Sequence, residues 1–142
     1  MLLPDVNVLI YAYRTDAANH KEYRSWLDAS LASDSQCGLS DLALSAVVRI
    51  VTHAKIWRAP TPVTDALQYV EWLRAHPRCV PVAPGERHWE IFTRLCKHVD
   101  AKGNLVSDAY FAALAIESGA EWITADRDYS RFPDLRWRHP LT

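Results

Sequence analysis

The sequence predicts an α/β fold, a mostly parallel sheet held between two layers of helices. Three observations predict it. Short apolar segments that read as strands alternate with longer segments whose apolar residues recur at helical spacing. Two of the strand segments end in aspartate, at Asp5 and Asp126. The eight prolines and four glycines fall mostly between the periodic segments, where the chain must turn.

The elements follow in order. Leu2-Leu3-Pro4-Asp5 reads as a buried strand, and Val6 to Ala12 as a helix with Asp5 or Asn7 at its cap. His20 to Ser33 is helical, with Tyr23, Trp26, Leu27 and Leu31 on one face. Cys37 to Ser40 is a short second strand. Asp41 to His53 is a helix facing inward through Leu44, Val47, Val48 and Val51. Thr61 is placed to cap a helix that begins at Pro62 and buries Val63, Ala66, Leu67, Val70 and Leu73. Cys79-Val80-Pro81-Val82 reads as an edge strand, because proline cannot donate to a ladder. Glu86 to Val99 is a helix with Trp89, Phe92, Cys96 and Val99 inward. Asn104 to Ser118 is a further helix, closed by Gly119 at its left-handed cap. Glu121 to Ala125 and Leu135 to Trp137 complete the strands.

Length and composition bound the function. The 142 residues make one domain, residues 1–142, and such a chain buries roughly 68–70% of its unfolded surface without a staple. Sixteen basic and 17 acidic residues leave a net charge of −1, which excludes a polybasic nucleic-acid binder but not an RNA substrate. The three cysteines, Cys37, Cys79 and Cys96, form no CxxC pair, so they read as small apolar fillers in a reducing, cytoplasmic setting. No basic leader precedes Asp5 and no stretch of 18 apolar residues exists, so neither a signal peptide nor a membrane span is expected.

The acids carry the chemical signal. In open α/β sheets, ligands bind outside the carboxyl ends of the strands, where the strand order reverses. Asp5 and Asp126 both close strands there, Asp108 lies in the first turns of a helix, and Asp128 follows two residues after Asp126. Read singly, each has a bland account. Asp5 is equally a helix cap, Asp108 a helix-dipole acid, Asp126 and Asp128 turn residues, Asn7 an Asx-turn residue and Thr124 a strand residue. If the strands that Asp5 and Asp126 close are neighbours, all four acids can meet above the sheet, where they repel one another and a hard divalent cation relieves that repulsion.

Three segments resemble the signatures of PIN-domain proteins. The first is Leu3-Pro4-Asp5-Val6-Asn7-Val8-Leu9-Ile10. The second runs from Gly103-Asn104-Leu105-Val106-Ser107-Asp108 into Ala112-Ala113-Leu114-Ala115-Ile116. The third is Thr124-Ala125-Asp126-Arg127-Asp128-Tyr129, with Phe132-Pro133 behind it. They are most similar to the VapC toxins of bacterial toxin–antitoxin pairs. That resemblance implies a three-layer α/β/α PIN-like fold with a five-stranded sheet in order 3-2-1-4-5. It implies a Mg²⁺-dependent endoribonuclease, with Mn²⁺ able to substitute, acting on structured RNA such as tRNA or rRNA. It also implies a VapB-like antitoxin partner and a toxin homodimer. By the same resemblance Asp5, Asp108 and Asp126 hold the metal, Asp128 is a nearby acid, and Asn7 and Thr124 orient the carboxylates.

The chain departs from the family in one place. Many VapC-like chains carry a glutamate three residues before an arginine in the helix after the second strand. That arginine corresponds to Arg49, and the glutamate position holds Ala46, whose methyl cannot ligate a cation. Asp41 lies five residues away, about 140° around the helix, and is not expected to replace it. The departure keeps a second reading open: a PIN-like RNA- or partner-binding protein with little catalysis. Arg49, Lys55, Arg58 and Arg127 are candidate phosphate contacts. The helices around Tyr23–Leu31 and Val47–Trp57 are candidates for an antitoxin groove, which exposed aromatics there would support.

Overall fold

In the computed structural model, which describes residues 1–142, strand β1 (Leu2–Pro4) lies at the centre of a five-stranded parallel sheet. The others are β2 (Cys37–Leu39), β3 (Cys79–Pro81), β4 (Glu121–Ile123) and β5 (Trp137–Arg138), in order β3-β2-β1-β4-β5. The expected order 3-2-1-4-5 is therefore the observed one. Leu2 pairs with Cys37 on one side and Glu121 on the other, and Pro4 pairs with Ile123. β1 and β4 are thus adjacent, and both reach their carboxyl ends beside the same crevice.

The strands are two or three residues long, shorter than the sequence suggested. The last expected residues of β1 and β2 become helix caps instead, and β5 falls at Trp137–Arg138 rather than Leu135–Trp137. Asp5 leaves β1 to cap α1 (Val6–Tyr13), its carboxylate accepting from Val6 N–H at 2.6 Å. Ser40 leaves β2 to cap α3 (Asp41–Val51), its hydroxyl accepting from Ala43 N–H at 3.1 Å. Each cap satisfies an orphan helix N–H, worth about 1 kcal/mol. Between these two helices lies α2 (His20–Ala32). Beyond them come α4 (Val63–Ala75), α5 (His88–Val99) and α6 (Asn104–Ser118). α1 packs against α2 and α3, α3 against α4, and α5 against α6, which completes an α/β/α sandwich.

Two helices sit differently from the sequence pattern. In α4, Val63 and Leu67 are exposed, and the buried face is Ala66, Tyr69, Val70 and Leu73. Tyr69 sets this rotation, because its hydroxyl donates to the Leu9 carbonyl of α1 at 2.7 Å. The helix begins at Val63 rather than Pro62, and Thr61 does not cap it. The Thr61 hydroxyl instead accepts from the Arg14 guanidinium. In α5 the buried positions are His88, Ile91 and Leu95, one residue out of phase with the expected stripe, and Trp89 is 67% exposed. His88 takes the inward place because its Nε2 donates to the Tyr110 carbonyl at 3.0 Å and its ring packs on Tyr110.

Other expectations hold. β3 is an edge strand with Pro81 exposed. Gly119 closes α6 at φ 69°, a left-handed geometry that suits glycine, with its N–H bonded to Ala115 and Ile116 carbonyls. Cys37 is buried. It lies directly opposite Cys79 on the neighbouring strand, and both thiols are free. No helix is long and apolar enough to cross a membrane.

Candidate active site

Asp5 is the most constrained acid in the molecule. It is 6% exposed, and both carboxylate oxygens are held. Oδ1 accepts from Val6 N–H, and Oδ2 accepts from the Thr124 hydroxyl at 2.6 Å. Burial pushes its carboxyl up to about 7. The two hydrogen bonds oppose this shift, and the charges of Asp108 and Asp126 add to it. The coupling shows that the three acids share one electrostatic neighbourhood.

Asp108 stands one turn into α6, half-buried. Its Oδ1 accepts from the Tyr129 hydroxyl at 3.2 Å. Burial raises its carboxyl too, and Asp126 and Asp128 push in the same direction. Tyr129 is 2% exposed and sits on a 3-10 helix, Arg127–Arg131, which the sequence reading did not contain. Asp126 caps that helix, its Oδ1 accepting from Asp128 N–H at 2.9 Å. Thr124 Oγ1 also accepts from Asp126 N–H at 3.0 Å, so one hydroxyl ties Asp5 to the backbone of Asp126. Asn7 Oδ1 accepts from Ala125 N–H at 3.4 Å, a second tether between α1 and the end of β4.

Asp5, Asp108 and Asp126 line one cleft of about 410 Å³. Asp128 is exposed and lies outside its lining. The remaining walls come from α1, through Ile10 and Tyr11, and from the end of α3 and the loop after it, through Ile50, Ile56 and Trp57. The loop wall is anchored from behind. Arg14, 8% exposed, donates to the Ala59 carbonyl at 2.8 Å and to Thr61 Oγ1 at 3.0 Å, and pairs with Asp16. Its guanidinium lies over the Trp57 ring, 4.2 Å from the centroid. Neither Arg14 nor Tyr129 was legible as a site residue, since each makes its contact with a distant part of the chain.

The candidate phosphate contacts Arg49, Lys55, Arg58 and Arg127 are all exposed, and none lines the cleft. Ala46 is half-buried and does not line it either; α3 reaches the cleft one turn later, at Ile50. Asp41 pairs with Arg74 away from the acids, so it does not substitute for the glutamate. Of the groove candidates, Tyr23, Leu27 and Leu31 are core residues and Trp26 is half-buried. The exposed tryptophans are Trp72 and Trp89, on α4 and α5.

The donor set has the chemistry of a hard-cation site: three carboxylates on one cleft, two of which, Asp5 and Asp108, are raised above the ordinary range by burial. No three His, Cys, Asp or Glu side chains stand close enough together to form a cage that holds a metal ion. Such a cage is not required for Mg²⁺, which is commonly bound by one or two carboxylates and keeps several waters. The residues present fit the ion on that basis.

The parallel 3-2-1-4-5 sheet, with three acids lining a cleft at the carboxyl ends of its central strands, agrees with the PIN-domain family model, which matches residues 2–135. The chain is 46% identical over 141 residues to ribonuclease VapC43 of Mycobacterium tuberculosis, covering 99% of this chain and 96% of that one. It is 38% identical over 140 residues to ribonuclease VapC25 of the same organism, covering 99% of both. Its fold matches VapBC2 from Rickettsia felis, solved bound to a DNA fragment from its promoter. The TM-score is 0.73 at 15% identity, over 97% of each chain. The chain belongs to the PIN-domain family, among its VapC ribonucleases.

Proposed function

We propose that this protein is a divalent-metal-dependent endoribonuclease, the toxin of a VapBC-type pair, whose activity a VapB-like antitoxin holds in check. The observation that carries the reading is the convergence of Asp5, Asp108 and Asp126 on one cleft at the carboxyl ends of β1 and β4. These three acids would hold the cation. Bound there, Mg²⁺ or Mn²⁺ lowers the pKa of a water and neutralises charge on a phosphoryl oxygen.

The chain's own groups prepare that site. Val6 N–H and the Thr124 hydroxyl fix the Asp5 carboxylate in one orientation, and the Tyr129 hydroxyl fixes Asp108. Asn7 and Thr124 hold the end of β4 against α1, which sets the spacing between Asp5 and Asp126. The exposed Asp128 adds negative charge at the rim, and Arg49, Lys55, Arg58 and Arg127 supply phosphate contacts beyond the cleft. In-line attack by water at phosphorus then releases a 3′-hydroxyl and leaves a 5′-phosphate. The working assembly is a homodimer with its antitoxin.

The absence of a closed three-ligand cage and of an acid at position 46 favour a second reading, RNA or partner binding with little turnover. One experiment separates the two. Purified protein free of antitoxin is incubated with total RNA in Mg²⁺, Mn²⁺ or EDTA, beside an Asp5→Asn, Asp108→Asn double variant. Discrete fragments that require metal and vanish in the variant support the nuclease. Intact RNA in every lane, from folded protein, supports the binding reading.

A further inference from the structure

The cleft that holds the three acids is chemically two-sided, and the acids account for only one side. Its other wall is apolar and aromatic: Ile10, Tyr11, Ile50, Ile56 and Trp57. α1 runs along both, with Asp5 at its cap and Tyr11 six residues on. A helix advances roughly 9 Å over that distance, which leaves room for a ribose between a phosphate at the acids and a group at the aromatic wall.

Trp57 is built for one kind of contact. Its indole N–H already donates to the Ile50 carbonyl at 2.9 Å, so it offers no hydrogen bond. One ring face is covered by the Arg14 guanidinium at 4.2 Å, and the residue still contributes to the cleft lining. Arg14 is itself buried and tied to Asp16, Ala59 and Thr61, so the ring is fixed before any ligand arrives. A rigid π surface with its N–H spent recognises flat, polarisable groups without reading their edges. Beside it Ile56 is 54% exposed, an apolar cost in water that a stacked ring would remove.

We propose that the Trp57 wall is a subsite for one unpaired nucleobase, stacked on the indole while its phosphate lies at Asp5, Asp108 and Asp126. The subsite rests on the nuclease reading given above. A base within a duplex is stacked on both sides and has no free face, so the subsite selects single-stranded or looped RNA. Because every base has a π face, it contributes affinity and register rather than base identity. Arg14 is the positioning residue: it holds Trp57 and touches no RNA.

The test is binding of three fluorescein-labelled probes in Ca²⁺, with EDTA as the metal-free control, read by fluorescence polarisation. They are a single-stranded oligoribonucleotide, the same length with abasic residues, and a duplex of the same length. Proteins are the unaltered chain, Trp57→Phe, Trp57→Leu and Arg14→Lys, each checked for folding by circular dichroism. Trp57→Leu keeps the apolar bulk and removes the π face. The expected result is a loss of about tenfold or more in single-strand affinity for Trp57→Leu, near-normal affinity for Trp57→Phe, and weak binding of the abasic probe by every protein. Equal binding by Trp57→Leu and the unaltered chain, or equal binding of abasic and base-bearing strands, overturns the subsite. Metal-dependent cleavage is measured in parallel. Cleavage with kcat/KM unchanged in Trp57→Leu keeps the nuclease and removes the subsite. Trp57-dependent binding without cleavage keeps the subsite and removes the nuclease.

Discussion

The Thr124 hydroxyl donates to Oδ2 of Asp5 at 2.6 Å, across 119 residues of chain. Thr124 Oγ1 also accepts from Asp126 N–H. One small side chain therefore sets the spacing of two acids from different strands, and it does so fully buried. Thr124→Val, nearly the same shape, leaves Asp5 Oδ2 and Asp126 N–H without that partner. We expect about 1–3 kcal/mol of lost stability by urea denaturation and a fall in kcat larger than any change in KM. Unchanged kcat would remove the orienting role.

Asp5 makes stability depend on pH in an unusual direction. Its carboxyl lies near 7 in the folded chain, against 3.8 for an ordinary aspartate, so the folded state holds a proton that the unfolded chain has released. Stability contributed by this group is complete below about 4 and is lost as pH rises through 7. Asp108 is shifted with the same sign. In EDTA, thermal melts of the unaltered chain should therefore lose ground relative to Asp5→Asn between pH 4 and 7. The slope is at most about 1.4 kcal/mol per pH unit for one proton. Mg²⁺ at pH 7 should recover part of it by binding the folded state alone. Parallel pH profiles for the two proteins would sink this account.

Tyr129→Phe removes one hydroxyl and leaves the ring packed on Trp122 and Phe132. Asp108 Oδ1 then loses the hydroxyl it accepts from. We expect about 1 kcal/mol of destabilisation and weaker Mg²⁺ binding by isothermal titration, because the carboxylate is free to rotate. Unaltered metal affinity would confine Tyr129 to packing.

Arg14→Ala strips the loop wall of its anchor. The Ala59 carbonyl and Thr61 hydroxyl lose a charged donor, and Trp57 loses the cation on its ring. Hydrogen bonds to charged groups are worth about 1.5–3 kcal/mol, so a clear drop in the urea midpoint is expected. Faster amide exchange should be concentrated in residues 52–62. A uniform rise in exchange across the sheet would place the effect elsewhere.

The acids at the strand ends were legible because their information is local, whereas the strand order 3-2-1-4-5 came from the resemblance to PIN-domain proteins. Asp5 ends an apolar run, Asp126 ends another, and both positions face the crevice that any parallel sheet opens. The supports were not legible, since they depend on chain segments far apart. Nothing near Tyr129 announces Asp108, 21 residues earlier. Nothing near Arg14 announces Thr61, 47 residues later. The phase of α5 was misread for the same reason. Hydrophobicity ranks Trp89 above His88, but the Tyr110 carbonyl lets the histidine go inside at no hydrogen-bond cost.

The pairing of β1 with β4 has a consequence for how such a protein is made. β1 has to wait for Glu121–Ile123 before its pairing on that side is complete, and Asp5 waits for Thr124. Long-range parallel pairing is slow to close and is established late. A nascent chain therefore carries Asp5 without Asp126 or Tyr129 until β4 and the 3-10 helix after it have emerged, and the three acids share no cleft before then.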